Sequence, residues 1–451
     1  MHNKKVRGEN KKMKHLTFKG GIHPPYSKEL TSHLETEKAN APSLVAIPIS
    51  QHIGAPCNPI VKVGDRVLVG EKIGEAGGFV SSPIHASVSG TVKAIKDVPS
   101  VMSGNVLSIV IESDGKDEVH SSVSPKGKIE TLSAKEIVEI VKEAGIVGMG
   151  GATFPTHVKL SPPPDKKIDT FILNGAECEP YLTDDHRLML EEPDDIVYGL
   201  RAMMKAVNVD KAFIGIEDNK QDAIEAMIKA TQEFDNIEVV TCETKYPQGS
   251  EKQLIYACVN KEVPSGKLPM DVGVVVNNVG TAAQVAKTIK TGMPLIERIT
   301  TISGSAVKTP RNLLLKIGVP IKEVIEQCGG YTDDVGKIIM GGPMMGLAQH
   351  TDEVVITKGS SGIVVLNTDE AKAQQESQCI RCGTCVEQCP SFIEPLHISS
   401  YSRHNAMDLA EEYRAVDCIE CGTCSFGCPA KIPLLQAIRV AKQHIIAKRR
   451  K

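Results

Sequence analysis

The sequence predicts a multidomain α/β protein, and three observations carry that prediction. Short β runs broken by Gly turns fill residues 42–112, and strands alternating with helices fill 130–294. A mixed α+β segment follows at 295–366, and the last region, 370–451, repeats one cysteine phrase twice. At 451 residues the chain is also too long for one ordinary hydrophobic core.

Bulk composition removes several function classes. A formal net charge of −3 argues against a nucleic-acid binder, and the lack of Trp argues against a base-stacking platform. Thirteen Cys, eight of them regularly spaced, point to a reducing compartment. Lys4, Lys5, Lys11, Lys12 and Lys14 are followed by no apolar run, so the N-terminus does not read as a signal peptide. No segment approaches the about 20 apolar residues of a membrane span, and the chain is expected to be soluble by itself. Residues 1–41 read as a basic, mobile tail leading into Gly20-Gly21-Ile22-His23-Pro24-Pro25.

The β runs of 42–112, such as 60–67 and 86–93, have the pattern of a small antiparallel sandwich. They resemble the lipoyl/biotinyl barrel-sandwich domain. In that family the swinging-arm Lys sits on a hairpin tip. The matching turn here, Glu75-Ala76-Gly77-Gly78-Phe79, has no Lys, so a docking module without a prosthetic arm is expected.

A polar linker at 113–131 ends at Ser133, which forms a capping box with Glu136. Ile137, Ile140, Val141 and Ala144 then share one helical face, and Gly145 closes the helix. Strands are expected at 168–173, 212–216, 237–240 and 272–276, with helices at 195–207, 222–229 and 281–290. Such alternation predicts a mostly parallel sheet with ligands at the strand C-terminal ends. The segment 295–366 carries Gly-rich turns at Gly329-Gly330 and Gly341-Gly342-Pro343. A C-terminal helix from Pro433 carries Leu434, Leu435, Ile438, Ile445 and Ile446 and ends in Lys448-Arg449-Arg450-Lys451.

The repeated phrase is Cys379, Cys382, Cys385, Cys389-Pro390, then Cys418, Cys421, Cys424, Cys428-Pro429. Both copies read C-x-x-C-x-x-C-x-x-x-C-P, the spacing by which bacterial ferredoxins hold two [4Fe–4S] clusters. Three thiolates on one loop cap three corners of a cubane, and the fourth ligand crosses from the other run. Cys379, Cys382, Cys385 and Cys428 are therefore assigned to one cluster, and Cys418, Cys421, Cys424 and Cys389 to the other. Structural zinc favours separated pairs, and disulfides favour small secreted chains. The motif points to one-electron transfer.

Gly148-Met149-Gly150-Gly151-Ala152-Thr153 leaves backbone N–H groups open to a phosphate. The strand at 168–173 runs into Asn174-Gly175-Ala176-Glu177-Cys178-Glu179-Pro180, Tyr246-Pro247-Gln248-Gly249-Ser250-Glu251 opens a helix, and the strand at 272–276 runs into Asn277-Asn278. Amides at strand ends suit the polar edge of a flavin or its ribityl hydroxyls. These four pieces in this order resemble the flavin-bearing, NADH-oxidising subunit of respiratory complex I. The resemblance implies Gly148, Gly150, Gly151 and Lys159 at FMN and NADH phosphates, and Asn174, Asn277 and Asn278 at the flavin. It implies Glu177, Tyr246 and Glu251 at the ring edge or nicotinamide side. The family's Gly-Arg-Gly-Gly has Met149 here, and its acid two places after the strand Asn is Ala176.

Taken together, the Gly20–Pro25 opening, barrel-sandwich, flavin-type domain, a β-grasp-like (soluble ligand binding) segment and the ferredoxin repeat resemble the C subunit of the Rnf complex. That family implies an enzyme subunit, an oxidoreductase/translocase component that passes electrons between NAD(H), FMN and two [4Fe–4S] clusters. It implies partner membrane and redox subunits, with ferredoxin as a candidate partner, and a peripheral place on the cytoplasmic face of the cell membrane. The family's proteobacterial members add a long Ala/Lys-rich C-terminal extension, which this sequence lacks. Two alternatives stand beside it: a soluble flavo-iron–sulfur reductase such as a cobalamin reductase, and a ferredoxin-like relay without nucleotide binding. Cys57, Cys178, Cys242, Cys258 and Cys328 read as packing thiols, and His23, His85 and His157 as isolated. The pairs Met203-Met204 and Met344-Met345 read as core.

Overall fold

A computed structural model describes residues 16–102 and 104–449. The N-terminal part folds as two small antiparallel sheets. One runs in the order Leu44–Pro48, Asn105–Ser113, Gly90–Pro99, Arg66–Val67, and the other Asn58–Pro59, Lys72–Glu75, Ile84–His85. Inward residues Val45, Ile47, Ile73, Ile84, Val92, Ile109 and Ile111 fill the space between them. The tip at 75–79 is not idle. Phe79 is exposed, but its carbonyl accepts a hydrogen bond from the His157 ring at 3.2 Å.

The α/β domain has four parallel strands in the order Ile237–Cys242, Ala212–Glu217, Thr170–Gly175, Val274–Asn278. Helices cover both faces, so the strands read as unbroken apolar runs such as Phe171-Ile172-Leu173 and Val274-Val275-Val276. The capping box is present: Ser133 N–H donates to Glu136 Oε2 at 2.7 Å, and Glu136 N–H returns to Ser133 Oγ at 3.3 Å. Gly145 has φ +66°, which a side chain resists, and a Cβ there would lie 2.4 Å from the Pro83 carbonyl. Two bounds shift from expectation. The first strand lies at Thr170–Gly175, and a helix at Asp184–Glu191, unforeseen in the sequence, precedes that at Pro193–Val207. Its polar sequence, DDHRLMLE, hides the apolar period.

A six-stranded mixed sheet follows, in the order Thr36–Lys38, Arg311–Lys316, Glu297–Ser303, Gly362–Asn367, Val335–Met340, Leu347–Gln349. Its core residues Ile302, Leu313, Val324 and Ile363 merge with those of the barrel-sandwich into one apolar cluster. The ferredoxin-type domain shows the duplication in its backbone. Short helices Thr384–Glu387 and Thr423–Phe426 each begin after a glycine at φ near +80°, Gly383 and Gly422. The long helix Leu434–Arg449 buries Leu434, Ile438, Ala441 and Ile445 beneath both.

The expected mobile tail is corrected for residues 16–41; residues 1–15, with the five lysines, lie outside the described chain. Leu16 bridges to Cys242, Ile22 to Tyr246, and Thr36–Lys38 pairs in parallel with Asn312–Leu314. Phe18, Ile22, Lys28 and Thr31 are buried by this path. Met203 and Met204 are core, but Met344 is only half-buried and Met345 exposed, because their loop spends its amides on Glu179. Among the described residues no helix is long and apolar enough to cross a membrane.

Candidate functional site

The glycine loop is a narrow hairpin. Val147 bridges Pro155, and Gly148 N–H donates to the Phe154 carbonyl at 2.9 Å, which leaves 149–153 as the tip. Gly151 has φ +123° and open space where a Cβ would be, while a Cβ on Gly150 would stand 3.2 Å from Asn278 Cβ. The backbone of this tip is therefore bare on one side and packed on the other. That is the surface a phosphate needs.

The three asparagines meet at the C-terminal ends of neighbouring strands. Asn174 Nδ2 donates to the Gly249 carbonyl at 2.8 Å, and its Oδ1 accepts from Ala176 N–H at 3.1 Å. Asn278 caps the helix Val279–Thr291 through Gly280 N–H and donates to Asp185 Oδ2 at 2.6 Å. Asn277 is buried with both amide atoms unpartnered, as is Gln248. Buried, unspent amides cost free energy unless something polar meets them. A flavin edge fits Asn277 on chemistry, and the bare loop fits the flavin's phosphate.

The acids do less than expected at a ring edge. Glu177 Oε1 accepts the N–H groups of Asp185 and His186 at 2.7 and 3.3 Å, and its other oxygen pairs with buried Lys28 at 3.3 Å. It caps the helix Asp184–Glu191. Burial raises the Asp185 pKa to about 7, the Glu177 charge adds to this, and burial also raises Asp184 despite its 3.1 Å pairing with Arg298. Lys159 donates to Glu251 at 2.7 Å and to the Val276 carbonyl at 3.0 Å, so these two predicted residues face each other. Tyr246 is a correction. It is wholly buried, and its hydroxyl donates to the Cys421 carbonyl at 2.8 Å, leaving no face for a nicotinamide.

Both cysteine runs place thiols against local donors in matched positions. Arg381 N–H points to Cys379 Sγ and Glu420 N–H to Cys418 Sγ, each at 3.4 Å, and Thr384 and Thr423 hydroxyls lie beside Cys382 and Cys421 at 3.3 and 3.4 Å. Arg381 and Glu420 adopt left-handed backbone to aim these amides. Donors aimed at sulfur suit thiolates that ligate iron. Burial pushes the Cys418 and Cys424 thiols up to about 12, and neighbouring thiols, Cys389 among them, add to this. Cys385 is raised by burial and then by Cys428 and Cys382. Cys389, Cys424 and Cys428 lie in one buried cluster of this domain, with Cys385 and Cys418 packed against it. Cys379 and Cys382 are exposed, whereas Cys389, Cys421, Cys424 and Cys428 are buried.

The α/β domain and the N-terminal lead-in contact both cysteine runs. Besides Tyr246, Gln253 Nε2 donates to the Pro390 carbonyl at 2.9 Å, and Gly21 N–H to the Gln388 carbonyl at 2.9 Å. Tyr246, Cys178, Cys421 and Ile22 form one small apolar cluster. Cys57, Cys178, Cys242 and Cys328 are buried thiols and Cys258 is half-buried. Sequence reasoning missed Tyr246 as a bridge, and also two residues of the mixed-sheet segment: Arg298, which reaches Met149 of the glycine loop, and Lys358, which reaches Gly145 just ahead of it. Only tertiary contact reveals them.

Fold and site define a flavo-iron–sulfur electron-transfer protein, and comparison with known proteins says which. Residues 16–116 match the RnfC barrel sandwich hybrid domain, 141–287 the Nuo51 FMN-binding domain, 299–348 the SLBB domain and 375–432 the 4Fe-4S dicluster domain. The chain is 55% identical to the C subunit of the Na(+)-translocating ferredoxin:NAD(+) oxidoreductase complex of Acetobacterium woodii, over 97% of this chain and 99% of that protein. It is 52% identical to the C subunit of the proton-translocating ferredoxin:NAD(+) oxidoreductase complex of Clostridium ljungdahlii, over 94% and 93%. It is 41% identical to the C subunit of the ion-translocating oxidoreductase complex of Rhodobacter capsulatus, over 95% and 83%. The chain belongs to the family of these Rnf C subunits. A crystal structure of an NAD+-reducing [NiFe]-hydrogenase shares the fold at TM-score 0.50 and 17% identity, covering 70% of this chain and 65% of that one. Membership sets the cobalamin-reductase alternative aside, and the FMN-binding match does the same for a relay without nucleotide.

Proposed function

We propose that this subunit carries electrons between NAD(H) and partner redox subunits of an ion-translocating ferredoxin:NAD oxidoreductase, from the cytoplasmic face of the membrane. The observation behind this reading is the bond from Tyr246 to Cys421, which joins a glycine-loop domain to a cysteine run within one chain. FMN, when bound, supplies the exchange between a two-electron hydride and single electrons. The chain's residues hold and orient it. Gly150 and Gly151 present the open backbone of the loop tip to its phosphate, Gly148 closes the hairpin behind them through Phe154, Asn277 offers an unspent amide to its polar edge, and Asn174 and Asn278 fix the strand ends around it. Lys159 and Glu251, paired and part-exposed, form the side open to a nicotinamide nucleotide. Cys379, Cys382, Cys385 and Cys428 hold one cluster, and Cys418, Cys421, Cys424 and Cys389 the other.

The exposed Cys379 and Cys382 end of the first run is the side open to partners, ferredoxin among the candidates, while Tyr246 ties the buried second run to the α/β domain. Held by partner subunits, the chain needs no span of its own. Anaerobic stopped-flow mixing of the flavin- and cluster-loaded chain with NADH tests the reading. Flavin bleaching followed by cluster bleaching is expected. Unbleached flavin at millimolar NADH would remove NAD(H) from this subunit.

A further inference from the structure

Two buried cations stand behind the glycine loop, and both come from the mixed-sheet segment. Arg298 is 3% exposed and Lys358 1%. Arg298 Nη1 donates to the Lys358 carbonyl at 2.8 Å and the Met149 carbonyl at 3.4 Å, while Nη2 pairs with Asp184 at 3.1 Å. Lys358 Nζ donates to the Gly145 carbonyl at 2.7 Å and the Pro83 carbonyl at 2.6 Å. Next to it, Gly359 lies so close to the loop that a Cβ would meet Thr153 Cγ2 at 2.4 Å. The hairpin is therefore held near its tip by Arg298 and along its flank by Gly359, while Lys358 ties the helix end at Gly145, two residues before the hairpin, to Pro83.

Packing alone does not account for Lys358. A buried ammonium is costly unless paired, and among the described residues Lys358 makes no ion pair. Two carbonyls and the C-terminal end of the helix Ala134–Glu143 compensate part of the charge. Burial lowers its pKa to about 8, which still leaves it mostly cationic at neutral pH. An anion against the loop tip, where the Gly151 backbone is open, would complete the compensation.

We infer that Arg298 and Lys358 are positioning residues for the FMN phosphate: Arg298 fixes the glycine loop from behind, and Lys358, which has no ion pair among the described residues, adds positive potential beneath it. This rests on FMN occupying that loop. The mixed-sheet segment is then a wall of the flavin site and not merely a spacer between the flavin and cluster domains. Preorganised donors and nearby charge strengthen anion binding more than neutral binding.

The test compares FMN with riboflavin, which has the same ring and ribityl chain but no phosphate. The full-length, cluster-loaded chain is freed of flavin and titrated with each under anaerobic conditions. Lys358→Gln keeps an N–H donor on a slightly shorter side chain but loses the charge, and Arg298→Lys keeps the charge on Asp184 but loses the fork. The parent should prefer FMN, and each variant should reduce that preference by about tenfold with riboflavin affinity nearly unchanged. Equal weakening of both flavins, or an unchanged preference in a folded variant, would overturn the inference and leave only a structural brace. If one variant does not fold, the other gives the same reading. A parent that binds no FMN would overturn the flavin assignment itself, and this inference with it.

Discussion

The hydroxyl of Tyr246 and the carbonyl of Cys421 lie 2.8 Å apart, in a pocket from which water is excluded. Tyr246, in the loop after the strand Ile237–Cys242, thus holds the backbone of one cysteine loop. Tyr246→Phe removes the donor and leaves a buried acceptor without a partner. The variant should be destabilised by about 1–3 kcal/mol, with iron content unchanged. Denaturant midpoints of parent and variant measure this, and equal midpoints would show that the bond contributes nothing net.

Cys389→Ala should remove the cluster of Cys418, Cys421 and Cys424 while sparing the other. Iron should fall from about eight to about four per chain. EPR of the reduced variant distinguishes the two centres. Loss of the first cluster alone would show that the fourth ligands do not cross.

Gly150→Val should abolish FMN binding without unfolding the sheet, because the added branch projects toward Asn278 and across the bare amides. Flavin released on acid precipitation, read against circular dichroism of the same sample, gives the answer. Full flavin retention would move the phosphate elsewhere.

Glu297 lies on the mixed sheet between Lys287 and Lys316, at 2.6 and 2.7 Å. Burial alone would raise its pKa, but the two ammonium groups outweigh this and bring it to about 2. A depressed carboxylate stabilises fully above the unfolded value of about 4.3 and loses that contribution as pH falls through the folded value. The stability gap between parent and Glu297→Gln should therefore be widest near neutral pH and close toward pH 2. A gap constant across that range would contradict the ion-pair origin.

What the sequence disclosed divides by range. The cysteine spacing, the Ser133–Glu136 box and the glycine loop are local, so their chemistry is written in adjacent residues. The parallel sheet was legible because its strands carry apolar runs such as Phe171-Ile172-Leu173 and Val274-Val275-Val276. Glu177 and Tyr246 were read as ligands because their motif carries polar groups, yet one caps a helix and the other crosses to Cys421. Arg298 and Lys358 carry no motif at all. Their partners Met149 and Gly145 lie more than a hundred residues away in sequence, and only packing shows them.

The path of residues 16–38 has a consequence for biosynthesis. Its strand Thr36–Lys38 pairs with 312–314, and Gly21 bonds to Gln388 beside Cys389. Neither partner exists while the ribosome is still making the barrel-sandwich. Contacts of such long sequence separation form late, because chain closure must come first. The segment synthesised early is therefore among the last to be seated, and it reaches the cysteine loop only after the chain around Cys389 has emerged.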